Sequence, residues 1–141
     1  MAEGTVLPGV EPGDELMTPF LEAVDTVRSR TGASPRVGII LGTGLGALAQ
    51  EMDVELSISY GEIPHFPLAT VETHEGRLLF GRLKGVEVVA MQGRFHRYEG
   101  YDLQHVTFPV RIMKLLGVET LVVTAATGGM NPLLDLGSLV L

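Results

Sequence analysis

The sequence predicts an α/β protein built on a mixed, mostly parallel sheet. Three observations carry that prediction. Val37 to Leu41 (VGIIL) and Glu119 to Thr124 (ETLVVT) are short continuous apolar runs, the pattern of strands buried on both faces. Stretches with helical spacing alternate with these runs, which is the order of α/β folds. Arg77 to Leu83 and Val86 to Gln92 are strand-like and joined only by Lys84 and Gly85, a spacing that reads as a tight antiparallel hairpin.

The elements follow in chain order. Residues 1–14 are rich in Gly and Pro and lack periodicity, so they read as a flexible leader. Thr18 and Pro19 look like an N-cap and an N1 proline. Phe20, Leu21, Val24 and Val27 then share a helix face, and Gly32 stands where a C-cap glycine belongs. The VGIIL strand leads into GTGLG (Gly42 to Gly46) and a short helix reaching Met52. Ile58 to Tyr60 reads as a brief strand, ahead of a loop broken by two prolines. After the hairpin comes the polar, aromatic stretch GRFHRYEGY (Gly93 to Tyr101). Asp102 is positioned to cap a helix that presents Leu103, Val106, Val110 and Met113 on one face, with Pro109 inside it and Gly117 ending it. The ETLVVT strand is followed by AATGGMNP, and Gly137 to Leu141 (GSLVL) reads as the start of another strand.

Composition narrows the function classes. The chain has 141 residues, no cysteine and a formal net charge of −7. That length suits one domain with its own core. Zero cysteine removes disulfides, thiolate metal sites and cysteine nucleophiles. A pI near 5 argues against nucleic acid or acidic membranes as partners, because both are bound through clustered Lys and Arg. No basic n-region precedes an apolar core near Met1, and no apolar run approaches the roughly 20 residues of a membrane span, so a cytoplasmic location is expected. No His, Asp and Glu spacing suggests a metal site, and no G-x-S-x-G elbow is present.

Three polar or glycine-rich loops follow the ends of three strands, where open α/β sheets bind ligands. In GTGLG the glycines allow a sharp turn with inward N–H groups, and the Thr43 hydroxyl adds a donor. The loop lacks the P-loop lysine and the G-x-G-x-x-G spacing of a dinucleotide site, and a plain strand-to-helix turn explains it equally well. In the second loop, the Arg94 fork matches two phosphate oxygens. His96 and Tyr98 follow at spacings that share its side in an extended chain, and Glu99 can hold the imidazole. A solvated loop with an Arg–Glu surface pair accounts for the same residue types. In the third loop, Gly128 and Gly129 permit close approach of backbone to a flat ligand. His74, between two acids, is a separate candidate, whereas His65 and His105 carry no assigned role.

The strings VGIILGTGLG, YGEIPHFPLATVETHEGRLLFGRLKG, MQGRFHRYEGY, VTFPVRIMKLLGVETLVVTAATGGMNP and LGSLVL resemble the trimeric purine nucleoside phosphorylases over nearly all of Val37 to Leu141. The resemblance implies a three-layer nucleoside phosphorylase-like fold, with residues 15–141 as the N-terminal part of a single phosphorylase domain. It implies phosphorolysis: inorganic phosphate, a co-substrate rather than a cofactor, attacks the anomeric carbon of a purine (deoxy)ribonucleoside. Thr43, Arg94, His96 and the Ala126 backbone would hold phosphate, with His74 on a loop beside it. His96 and Glu99 form the catalytic pair, with Glu99 supporting His96. Tyr98 would lie against the ribose, and Ala126, Thr127 and Gly128 would border sugar and base. No metal is implied, and the family assembles as homotrimers.

Two departures stand out. The family commonly reads TNAAGG where this chain has Thr124-Ala125-Ala126-Thr127-Gly128-Gly129. Family members also continue into a second half that reads the purine. Two alternatives therefore stay beside the phosphorylase: a non-catalytic phosphate- or nucleoside-binding fragment, and a relative of the methylthioadenosine phosphorylases.

Overall fold

The computed structural model describes residues 15–42, 44–68 and 76–141. The expected leader over residues 1–14 lies outside them. Among the described residues five strands form one sheet in the order β2-β3-β4-β1-β5: β1 Val37–Leu41, β2 Asp53–Ser59, β3 Arg77–Leu83, β4 Val86–Gln92 and β5 Thr120–Val123. The helices are α1 Thr18–Arg28, α2 Gly46–Gln50 and α3 Leu103–Leu116. The sheet is mixed, as expected. β1 pairs in parallel with both β4 and β5, while β3 pairs antiparallel with β4 and β2.

The hairpin has the expected bounds. Lys84 and Gly85 both take positive φ, 49° and 84°, the type I′ geometry whose twist matches the flanking strands. Side chains along β3 and β4 alternate between faces. Leu78, Phe80, Val89 and Met91 join one buried cluster with Val24 and Val27 of α1 and Ile112 and Met113 of α3. Leu79, Val88 and Ala90 join a second cluster with Ile39, Leu41, Ala49 and Met52. Two cores on opposite faces of one sheet give the three-layer architecture. Each fully buried aliphatic side chain contributes about 1.5–3 kcal/mol.

Several sequence expectations need correction. Helix α1 ends at Arg28, not beside Gly32, because Ser29 already closes it through bonds to Asp25 and Val27 carbonyls. β2 is longer than the brief Ile58 strand, since its ladder with β3 extends back to Asp53 although most of its side chains are exposed. α3 buries Phe108, Pro109, Ile112, Met113 and Leu116, so its core face is rotated from the expected one and Leu103 is exposed. The rotation follows from docking on α1, where the Phe20 and Phe108 rings stack at 4.8 Å. The helix passes through Pro109. β5 is an edge strand, so most of it is exposed rather than buried on both faces. Gly137 to Leu141 forms no strand: Gly137 takes φ 87° in a turn where Ser138 N–H donates to the Asp135 carbonyl at 3.1 Å.

Asp102 caps α3 as expected, accepting the His105 backbone N–H at 2.8 Å and meeting the His105 ring at 2.7 Å. The backbone N–H of His105, followed by its side chain, holds the Asp102 carboxyl below the usual carboxylate range. A depressed carboxyl adds stability above its unfolded pKa of about 3.9, and that stability is lost as pH falls through the folded value. Urea unfolding of the wild type and Asp102→Asn checks this. Their stability difference should hold at pH 5 and close by about pH 2. A gap of the same size at both values would remove the charged cap as its source.

Candidate functional site

The site follows from strand register. β1 runs level with β4, with Leu41 opposite Gln92, and level with β5, with Ile40 opposite Val123. All three strands point the same way, so the loops starting at Gly42, Gly93 and Thr124 leave one edge of the sheet together. This is the expected convergence.

Thr124 links all three. Its hydroxyl donates to the Ile40 carbonyl at 3.0 Å and accepts the Gly42 N–H at 2.8 Å. Its carbonyl accepts Arg94 Nη1 at 2.9 Å. The approach to β1 is close: a Cβ on Gly42 would lie 2.6 Å from the Thr124 oxygen, which leaves room only for glycine. Arg94 is half-buried, and its Nε is buried without a hydrogen-bond partner among the described residues. An arginine held by one arm, with a desolvated N–H still unmatched, is suited to an oxyanion.

His96 and Glu99 meet as expected. Glu99 Oε2 contacts His96 Nδ1 at 2.8 Å and also accepts the His96 backbone N–H at 2.7 Å. The Glu99 side chain is only 6% exposed, so one buried carboxylate fixes both the ring and the backbone of His96. Tyr98 reaches this group by a different route from the one expected. His96 is extended, but Arg97–Glu99 form a 3-10 helix, so strict alternation stops there. The helix swings Tyr98 onto His96, with ring centroids 4.6 Å apart and planes 20° apart. Tyr98 is 82% exposed, an open aromatic face beside the imidazole.

Ala126, Thr127 and Gly128 are exposed in the loop beyond β5. Thr43 and His74 lie outside the described residues. A groove of about 480 Å³ between α1 and α3, with Phe20, His65, His105 and Arg111 in its walls, contains none of the predicted site residues. Its two histidines pair locally, His65 with Glu22 and His105 with Asp102. Among the described residues no group of His, Asp and Glu could hold a metal ion, and no helix is long and apolar enough to cross a membrane.

Sequence reasoning missed Thr124 and Tyr60. Tyr60 is 1% exposed and donates its hydroxyl to the Gly93 carbonyl at 2.6 Å. Burial pushes its phenol above the ordinary range, so it stays a donor. Its ring packs on Phe95 at 5.4 Å and Phe66 at 4.7 Å. Tyr60 therefore holds both neighbours of Arg94. The available signal was a tyrosine beside an apolar run, an aromatic that needs a partner for its hydroxyl when buried. Tyr60→Phe leaves the buried Gly93 carbonyl without its donor, and urea denaturation should show a loss of about 1–3 kcal/mol. An unchanged unfolding midpoint and slope would rule out this anchor.

The Phosphorylase superfamily profile matches residues 36–141. Purine nucleoside phosphorylase 1 of Geobacillus stearothermophilus is 50% identical over 124 residues, covering 88% of this chain and 45% of that protein. Purine nucleoside phosphorylase of Rattus norvegicus is 50% identical over 122 residues, covering 86% and 42%. A solved purine nucleoside phosphorylase in complex with ribose-1-phosphate has a TM-score of 0.80 at 46% identity, over 86% of this chain and 44% of that one. The Schistosoma mansoni enzyme in complex with adenosine has a TM-score of 0.78 at 45% identity, over 86% and 42%. The chain thus spans less than half the length of these relatives. Its sheet order, its level loops and a profile match over most of its length agree: the chain belongs to the phosphorylase superfamily.

Proposed function

We propose that this chain carries the phosphate-binding part of a purine nucleoside phosphorylase. The reaction cleaves a purine (deoxy)ribonucleoside with inorganic phosphate. The glycosidic carbon–nitrogen bond breaks with its electron pair leaving on the purine, and a phosphate oxygen bonds to the anomeric carbon. The observation that carries this reading is the meeting of Gly42, Arg94 and Thr124 at the ends of three level parallel strands. Relatives near 50% identity named as purine nucleoside phosphorylases support it, and one such solved enzyme holds ribose-1-phosphate.

In this reading the Arg94 guanidinium grips phosphate, with His96, the Thr43 hydroxyl, the Ala126 backbone and His74 around the same anion. Glu99 keeps the His96 ring oriented. Tyr98 offers its open face to the ribose, and Ala126, Thr127 and Gly128 border sugar and base. Charge that builds on the sugar as the bond breaks resembles that in glycoside hydrolysis, and a phosphate dianion beneath the ring stabilises it. The protein supplies position and electrostatics. The net −7 is no obstacle, because the substrate nucleoside is neutral and phosphate needs only a local positive group. A homotrimer, a cytoplasmic location and a part in purine salvage belong to the same reading.

A second reading, a phosphate- or nucleoside-binding chain without turnover, is favoured by one observation: Ala126, Thr127 and Gly128 are exposed in the loop beyond β5, whereas Arg94 and His96 are half-buried. Base release from inosine, guanosine and adenosine with and without phosphate separates the two. Phosphate-dependent release supports turnover, and phosphate binding without release supports the second reading. For either, Arg94→Ala should weaken phosphate binding about 10- to 100-fold, the worth of a charge-assisted hydrogen bond. Calorimetric titration alongside far-UV circular dichroism checks it, and unchanged affinity in a folded variant would take Arg94 out of the site.

A further inference from the structure

We propose that Thr124 is a positioning residue, a clasp that fixes the glycine loop and the Arg94 guanidinium relative to each other before phosphate arrives. The inference rests on the phosphate-binding reading for its purpose, but its geometry stands alone. Every polar group of Thr124 is used. The hydroxyl proton goes to the Ile40 carbonyl, which leaves oxygen lone pairs to accept the Gly42 N–H. The backbone N–H also donates to the Ile40 carbonyl, at 3.1 Å. The carbonyl holds Arg94 Nη1 and fills the space a Cβ on Gly42 would need. Displacing Thr124 therefore moves Gly42 and the arginine together.

The residue type fits the task. A β-branched side chain suits the end of a strand, and of the β-branched residues only threonine carries a hydroxyl. Valine copies the shape and loses both bonds, while serine keeps the bonds and loses the branch. Arginine carries large side-chain entropy, so a guanidinium already held by one arm loses less freedom when it takes up an anion. Thr124 need not touch the ligand to affect affinity.

NMR on the full 141-residue chain tests the clasp directly, comparing wild type, Thr124→Val and Thr124→Ser. Thr124→Val should speed Gly42 amide exchange about tenfold, the effect of one hydrogen bond, and should sharpen rotation of the Arg94 guanidinium. Protection in β3 and β4 should stay unchanged, and Thr124→Ser should remain near wild type. If Thr124→Val fails to fold, Gly42→Ala opens the clasp from the other side and should free Arg94 in the same way. Unchanged Gly42 exchange and Arg94 motion in a folded variant overturn the inference. A phosphate titration of the same samples keeps the two ideas apart. Wild-type binding that weakens in Thr124→Val and recovers in Thr124→Ser supports the clasp's role. A wild type that ignores phosphate sinks the functional reading, while the exchange data still decide the clasp.

Discussion

Parallel pairing of β1 with β4 on one side and β5 on the other is the constraint on which the loop edge depends. Parallel strands end together, so their following loops start at one height. An antiparallel neighbour would send its loop to the opposite edge. β3 does this, and it serves the site by supporting β4 from the far side. The register then brings Gly42 to Thr124, and the bonds at Thr124 hold what the register has placed.

The supports around Arg94 are of different kinds. Thr124 holds the guanidinium from β5, while Tyr60 holds the preceding residue from the end of β2. Phe95, on its other side, is buried in the aromatic cluster with Tyr60, Phe66 and Tyr101. Arg94 thus projects from a backbone anchored on both sides, while its Nε has no hydrogen-bond partner among the described residues. Burying such a group costs stability unless something pairs it. By contrast, exposed pairs such as Arg30 with Glu62 at 2.7 Å add little, because solvent screens them.

What could be read from the sequence was what local pattern encodes. The hairpin was legible because strand-like apolar runs flank a two-residue Lys-Gly connection, the length of a tight hairpin turn. The three loops were legible as glycine or polar stretches after apolar runs, and the His96 and Glu99 pair as neighbours three residues apart. The clasp was not legible, because Thr124 and Gly42 are far apart in sequence and a threonine at a strand end is unremarkable until its partners are known. β2 was underread because its side chains are mostly exposed and only its ladder defines it. The α3 face was misplaced because Leu103 and Val106 have the right spacing, while the Phe20 and Phe108 stack decides which face docks.

The two parts of the candidate site differ in how much of the fold stands behind them. Arg94 and His96 are half-buried, tied to β5 and to Glu99 respectively, and they follow a strand paired on both sides. Ala126, Thr127 and Gly128 are exposed and follow β5, which among the described residues pairs only with β1 and leaves Val122 and Val123 open. Order in the second group therefore rests on whatever adjoins β5, whereas order in the first is internal. An anion site needs rigid donors, since a guanidinium that must first be immobilised binds weakly. A flat base stacked on open backbone tolerates later assembly. The unequal support thus places self-contained order at the groups proposed to meet phosphate and leaves the residues proposed to border the nucleoside dependent on their neighbours.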